Sequence, residues 1–428
     1  MKSLTARIPG SKSLTNRLLL LAAAADGTSR VHAPLVSEDT IAFREALRVC
    51  GITVQGTPED DYWEVTGTGR GPDGPGRPWC ADAGTAARFL PPFAATGQGT
   101  FLFDGSAQLR ARPQGPLLEA LRTLGADLEA GPGNGLPLLI HARGLTGGEL
   151  SVDSSLSSQY LSGLLMAAPL MRHGLVIRTA RPVSRPYVDM TVALMRRFGA
   201  DVDDSEDGVL RVAPGAYDAT DAVVEPDASS ASYVFAAAAV TGSTVTVPGL
   251  GAGSLQGDLR FVEVLSLLGA EVHVDRAATT VTGTGRPRGG FTVDMGDISD
   301  TFMTLAAIAP LADAPITIRG IGHARLKESD RVAAVAANLR ACGIETAEGR
   351  DWITIHPGVP RRTRIACRRD HRIAMSFSVL GLAVPGAVSL DDPACVGKTF
   401  PAFHDEIRRL FPDHEHPPYT GRLAEEHR

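Results

Sequence analysis

The chain repeats itself. Five segments end a helix-like stretch on a glycine and continue into a short alternating stretch: ALRVCGITV (46–54), ALRTLGADL (120–128), ALMRRFGADV (193–202), VLSLLGAEV (264–272) and NLRACGIET (338–346). Gly51, Gly125, Gly199, Gly269 and Gly343 are spaced 74, 74, 70 and 74 residues apart. A glycine there ends a helix because it accepts left-handed backbone at no steric cost. EIRRLF (406–411) reads as a sixth, degenerate copy. A second pattern precedes each: an Ala-rich helix, a Gly- or Pro-containing turn and a β-prone stretch. Its six copies span 17–31, 87–103, 160–178, 233–247, 302–318 and 373–390. These helices are apolar nearly all round, which predicts burial. The chain therefore reads as six α/β units of about 70 residues, grouping three plus three into two domains.

Composition narrows the function. The 428 residues hold 42 Lys or Arg and 48 Asp or Glu, a net charge of −6. That is a poor balance for neutralising nucleic-acid phosphates, so no nucleic-acid partner is expected. The longest apolar run, Leu18 to Ala25, is far short of the ~18 residues that suggest a membrane span, and the N-terminus shows no secretory h-region. Five cysteines, odd in number and without a CxxC pair, read as free thiols of a reducing cytoplasm. The expectation is a cytoplasmic monomer with no membrane partner.

The residues that open the buried helices carry the chemistry. They are Ser11-Lys12-Ser13, Gly84-Thr85, Ser157-Ser158-Gln159, Ser229-Ser230, Asp300-Thr301 and Asp370-His371-Arg372. Each alone is an ordinary N-cap. As a set they place several helix N-termini, with their free N–H groups, where they can gather anions. Basic clusters lie close by: Lys12 and Arg17 in PGSKSLTNR, Arg110 and Arg112 in LRARP, Lys327 and Arg331 in LKESDR, and the arginines of RRDHR (368–372). Four basic clusters in an acidic chain point to a substrate with several negative charges.

These same residues make the chain resemble the 5-enolpyruvylshikimate-3-phosphate synthase family of enolpyruvyl transferases. PGSKSLTNR, DAGTAAR (82–88), LRARP, SSQYLSGLLMAAP (157–169), SRPYVDMT (184–191), EPDASSASY (225–233), QGDLRF (256–261), KESDR (327–331), DHRIAM (370–375) and GKTFP (397–401) follow the family's order. The resemblance implies a two-domain enolpyruvyl transferase fold, an inside-out α/β barrel with three βαβαββ units per domain. One domain would be 11–225, on the shikimate-phosphate side. The other, residues 1–10 plus 226–428, would carry the catalytic groups, with the active site in the cleft.

It also implies the reaction. The 5-hydroxyl of shikimate 3-phosphate adds to C2 of phosphoenolpyruvate as C3 is protonated, and the adduct then loses phosphate, a step of aromatic amino-acid biosynthesis. No metal or organic cofactor is required. By resemblance, Lys12, Ser13, Arg17, Ser157, Ser158, Gln159, Ser184, Tyr187, Asp300, His323 and Lys327 would bind shikimate 3-phosphate. Lys12, Gly84, Arg110, Gln159, Arg331, Arg372 and Lys398 would bind phosphoenolpyruvate, and Thr85 would cap its helix. Asp300, Glu328, Lys12 and Lys327 would be catalytic, Asp300 at the 5-hydroxyl and Glu328 at C3.

Some positions depart from the family's pattern. Asp82 stands for the usual Asn of the NAGT motif, Phe89 for a common Pro, and His323 for an Asn four residues before the KE pair. Two enzymatic alternatives stay open: a paralogue acting on a modified cyclohexene phosphate, and the transferase acting on UDP-N-acetylglucosamine. The second is disfavoured because no Cys lies near Ala107–Pro113. A non-catalytic binding protein is disfavoured by the presence of Asp300, Glu328 and Lys12, and an RNA-end-processing enzyme by the net charge.

Overall fold

The computed structural model describes residues 3–151, 158–179 and 184–416. Its contacts divide the chain into two compact units, Gly10–Glu225 and Met1–Pro9 plus Pro226–Arg428. Each has its own hydrophobic core.

Within a unit, the pattern is helices inside and sheets outside. In Gly10–Glu225 the inner helices are Lys12–Ala24, Ala86–Ala95 and Ser158–Ala167. In the other unit they are Ala228–Thr241, Phe302–Ile308 and His371–Ala383. Small residues in these helices let neighbours approach closely. A Cβ at Gly163 would lie 2.4 Å from the carbonyl oxygen of Arg88 on the neighbouring helix. That neighbour contains Pro91 and Pro92, and Pro92 has no N–H to offer the Arg88 carbonyl. The five repeat glycines all have positive φ, between 79° and 95°, as a helix-ending glycine requires.

The repeats share a sheet order, and in the second the first strand is reduced to isolated parallel bridges at Asp73, Gly76 and Trp79. A first strand pairs in parallel with the strand after the buried helix. That strand pairs antiparallel with the fourth, and the fourth with the third. Gly148–Ser151, Leu175–Arg178, Val209–Val212 and Val202–Asp203 follow this order. Phe291–Asp294, Ile316–Arg319, Ile353–Ile355 and Thr346–Glu348 repeat it. In the first repeat of each unit the parallel strand comes from elsewhere in the sequence. Tyr217–Asp218 and Ala222–Val223 pair with Ala25–His32, and Leu4–Thr5 pairs with Thr244–Pro248. Among the described residues the sixth repeat keeps only Thr363–Ile365 beside Val388–Leu390, followed by the amphipathic helix Phe403–Leu410. No described helix is long and apolar enough to cross a membrane.

Helix starts depart from expectation in three places, one of them Thr301, which makes no capping bond and donates its hydroxyl to the Ile298 carbonyl instead. The helix of the ASSASY run is capped by Asp227, whose side chain accepts from Ser230 N at 2.7 Å, so Ser229 and Ser230 lie inside it. Thr85 makes no capping bond. Its backbone is already helical and its hydroxyl accepts from Asn16 Nδ2 at 2.7 Å.

Candidate active site: two clusters of charge

In the unit Gly10–Glu225 the helix N-terminus at Lys12 is capped by Ser11. The Lys12 ammonium lies 3.0 Å from the buried Asp39 carboxylate. One turn on, Arg17 is 1% exposed. It donates to Thr191 Oγ1 (2.8 Å), the Ser13 carbonyl (3.0 Å), Ser162 Oγ (3.1 Å) and the Tyr187 carbonyl (3.3 Å). Its guanidinium also stands over the rings of Phe89 and Tyr187. Every one of these partners is neutral. Burial lowers the Arg17 pKa to about 10, which still leaves it charged at neutral pH. A buried cation held only by dipoles is costly unless an anion joins it.

Ser158 opens its helix and is buried, and the amide oxygen of Gln159 accepts from Arg88 Nη1 at 2.6 Å. Arg88 lies over the Tyr160 ring, so it orients Gln159 from behind. Ser184 sits at the start of helix Arg185–Arg197 with left-handed φ and ψ of 57° and 60°. That conformation costs a non-glycine residue about 1 kcal/mol or more. Ser157 lies outside the described residues.

The LRARP segment sorts its two arginines. Arg110 is half-exposed and forks onto Asp104, with Nε 2.8 Å from Oδ1. Arg112 is buried, and a Cβ at Gly84 would lie 2.6 Å from its Nη1. The arginine beside Gly84 is therefore Arg112, and the Arg110 charge is spent on Asp104. Asp82 accepts a hydrogen bond from the Ser106 hydroxyl, and that hydroxyl also accepts from Leu109 N at 3.1 Å. The departure from Asn is thus tied into the turn that leads to LRARP.

In the other unit the charges are denser. Asp300 Oδ1 accepts from Lys327 Nζ and, at 3.0 Å, from Arg331 Nη1. Its Oδ2 accepts from Arg372 Nη2 at 2.7 Å. Burial alone would raise the Asp300 pKa, but Arg372, Lys327 and Arg331 outweigh it and hold the carboxyl well below the usual range. Arg331 also pairs with Glu328 (2.7 Å) and with Asp370 (2.9 Å), which is fully buried and caps helix His371–Ala383. Lys398 is buried at the end of the short helix Pro393–Lys398, which packs on the helix carrying Arg372. His323 Nε2 lies 2.7 Å from Ser299 Oγ, and Lys327 Nζ donates to the same hydroxyl at 3.0 Å.

Among the described residues, the structure joins Arg17 to Ser13 and Tyr187 in one unit, and Asp300, Lys327, Arg331, Arg372, Glu328 and, through Ser299, His323 in the other. Arg110 turns to Asp104 instead, and Arg88, Arg112, Ser299 and Asp370 are additions. One compositional signal points to the site directly. Only four of the 42 basic residues are lysines (Lys2, Lys12, Lys327 and Lys398); the other 38 are arginines. A chain that otherwise uses arginine keeps an ammonium where a compact, deprotonatable cation is needed.

Comparison with known proteins bears on the family and the fold. A family model for EPSP synthase (3-phosphoshikimate 1-carboxyvinyltransferase) matches residues 3–407. The chain is 42% identical over 410 residues to the 3-phosphoshikimate 1-carboxyvinyltransferase of Methanosphaerula palustris, covering 93% of this chain and 95% of that one. It is 40% identical over 433 residues to the chloroplastic enzyme of that name from Arabidopsis thaliana, covering 94% and 82%. An EPSP synthase structure from Acinetobacter baumannii superposes with a TM-score of 0.79 at 25% identity, covering 96% of each chain. The enolpyruvyl transferase NikO from Streptomyces tendae shares the fold, with a TM-score of 0.77 at 18% identity and coverage of 98% and 97%. The chain has the enolpyruvyl transferase fold and belongs to the EPSP synthase (3-phosphoshikimate 1-carboxyvinyltransferase) family.

Proposed function

We propose that this protein transfers the enolpyruvyl group of phosphoenolpyruvate to the 5-hydroxyl of shikimate 3-phosphate, releasing phosphate. The observation that carries the reading is the Asp300 carboxylate, nearly buried and ringed by Lys327, Arg331 and Arg372. These cations keep Asp300 ionised, the form in which it can take a proton from the acceptor hydroxyl. The hydroxyl oxygen bonds to C2 of phosphoenolpyruvate while C3 gains a proton. Glu328 is our candidate for delivering that proton and removing one when the C–O bond to phosphate breaks, and the proton held by Asp300 leaves with the released phosphate.

Arg331, Arg372 and Lys398 answer the donor's carboxylate and phosphate, and Arg112, rather than Arg110, joins them. Arginine forks match such anions bidentately. Arg17, whose hydrogen-bond partners among the described residues are all neutral, and Lys12, Ser13, Ser157, Ser158, Gln159, Ser184 and Tyr187 are assigned to the acceptor, with Lys12 and Gln159 serving both substrates. The reaction needs neither metal nor organic cofactor. We place the protein in the cytoplasm as a monomer, with five free cysteines suited to a reducing compartment.

Proton NMR of a mixture of protein, phosphoenolpyruvate and acceptor tests this. New vinyl signals of an enol ether with shikimate 3-phosphate, and none with UDP-N-acetylglucosamine, are expected. The reverse pattern would overturn the assignment.

A further inference from the structure

Of the three cations paired with Asp300, Lys327 is the one that can lose a proton, and its surroundings control that loss. It faces Asp300, Glu328, Arg331 and His323. Burial, followed by Arg331, pulls its pKa below the ordinary lysine value, against the pull of Asp300 and Glu328. Two of its N–H groups are engaged, by Asp300 and by Ser299. The third has no partner among the described residues and is available to a substrate oxygen.

Ser299 is fully buried. Its hydroxyl oxygen accepts from Lys327, so its single proton is satisfied only by His323 Nε2, 2.7 Å away. His323 must therefore be neutral, with the proton on Nδ1. Burial, aided by Lys327, lowers its pKa to about 3, so it stays neutral throughout the working range. The short helix Gly322–Leu326 carries His323 one turn before Lys327 and brings both to Ser299.

We propose that His323 and Ser299 are positioning residues that aim Lys327 and hold it as an ammonium through the chain Lys327 N–H to Ser299 O–H to His323 Nε2. His323 then acts on the reaction through Ser299 rather than by touching the acceptor, as the family resemblance implied. The proposal rests on the transferase reading, in which Lys327 stands beside the base at the acceptor hydroxyl.

The experiment uses whole protein labelled with carbon-13 at lysine Cε. Four lysines give four signals, and Lys327→Arg identifies the one of interest. Ser299→Ala and His323→Leu each remove the chain, and each should move the Lys327 titration down by about one pH unit, the worth of one hydrogen bond to a charged group. The double variant should move it no further. His323→Gln, whose amide oxygen can accept from Ser299, should return it toward wild type. The alkaline limb of turnover should move in parallel, with the KM for phosphoenolpyruvate unchanged. A Lys327 titration unmoved by either single variant, or additive shifts in the double, would overturn the proposal. The expected NMR shifts without any transfer to shikimate 3-phosphate would leave the chain standing and sink the transferase reading.

Discussion

Arg110 and Arg112 stand two residues apart, and that spacing decides which one the site receives. Residues i and i+2 point to different sides of a helical turn, so LRARP sends one guanidinium to Asp104 and the other to Gly84. The sequence shows that one arginine serves the site, and only packing shows which. Arg112→Ala is expected to weaken phosphoenolpyruvate binding at least tenfold by calorimetric titration. Arg110→Ala should change it less than about fivefold, because an exposed ion pair is worth at most about 1 kcal/mol. Glu328→Gln is expected to lower kcat by about a hundredfold or more, with substrate dissociation constants little changed, which separates proton transfer from binding. Asp258, in the QGDLRF motif, received no role from sequence. It is buried against Ser229, and burial, reinforced by Asp300, raises its pKa to about 6. A raised pKa means stability that is full below the unfolded value near 4 and is lost as pH rises through about 6. The loss is of order 3 kcal/mol. Asp258→Asn cannot lose it, so its denaturation midpoint should gain on wild type between pH 4 and 7. A pH-independent difference would contradict this.

At the scale of elements, the helices were legible and the strands less so. Each buried helix announces itself through an apolar run on all sides, and each amphipathic helix through its terminal glycine. N-caps were harder to read where polar residues crowd. In PDASSAS, one Asp and three Ser can cap, and Asp227 wins because it lies just before the first helical turn. The strands opening each unit's first repeat are invisible to periodicity, since Leu4–Thr5 and Tyr217–Asp218 are two residues long. The close helix contact at Gly163 was also hidden, because a glycine inside an apolar run carries no local signal. Gly163→Ala would force its methyl into the Arg88 carbonyl. It is expected to cost about 1–3 kcal/mol and to lower the melting temperature by several degrees. The strain would pass to Arg88 and through it to Gln159, so turnover should fall as well.

At the scale of the molecule, the six-fold repeat was readable because buried helices and helix-ending glycines recur every 70–74 residues, and the enolpyruvyl transferase fold was readable from the motifs that resemble the family. The assignment of charge was not, since it depends on which cation reaches which carboxylate. Asp300 gathers Lys327, Arg331 and Arg372, and Arg331 alone touches three carboxylates. The account's central claim is that this carboxylate accepts the proton of the acceptor hydroxyl during enolpyruvyl transfer. The most direct measurement is the rate of phosphate release from phosphoenolpyruvate by wild type and by Asp300→Asn, each with and without shikimate 3-phosphate. Wild type should release phosphate only when shikimate 3-phosphate is present, and Asp300→Asn should be slower by about a hundredfold or more while still binding both substrates. Release that ignores shikimate 3-phosphate, or an Asp300→Asn rate within a few-fold of wild type, would contradict it.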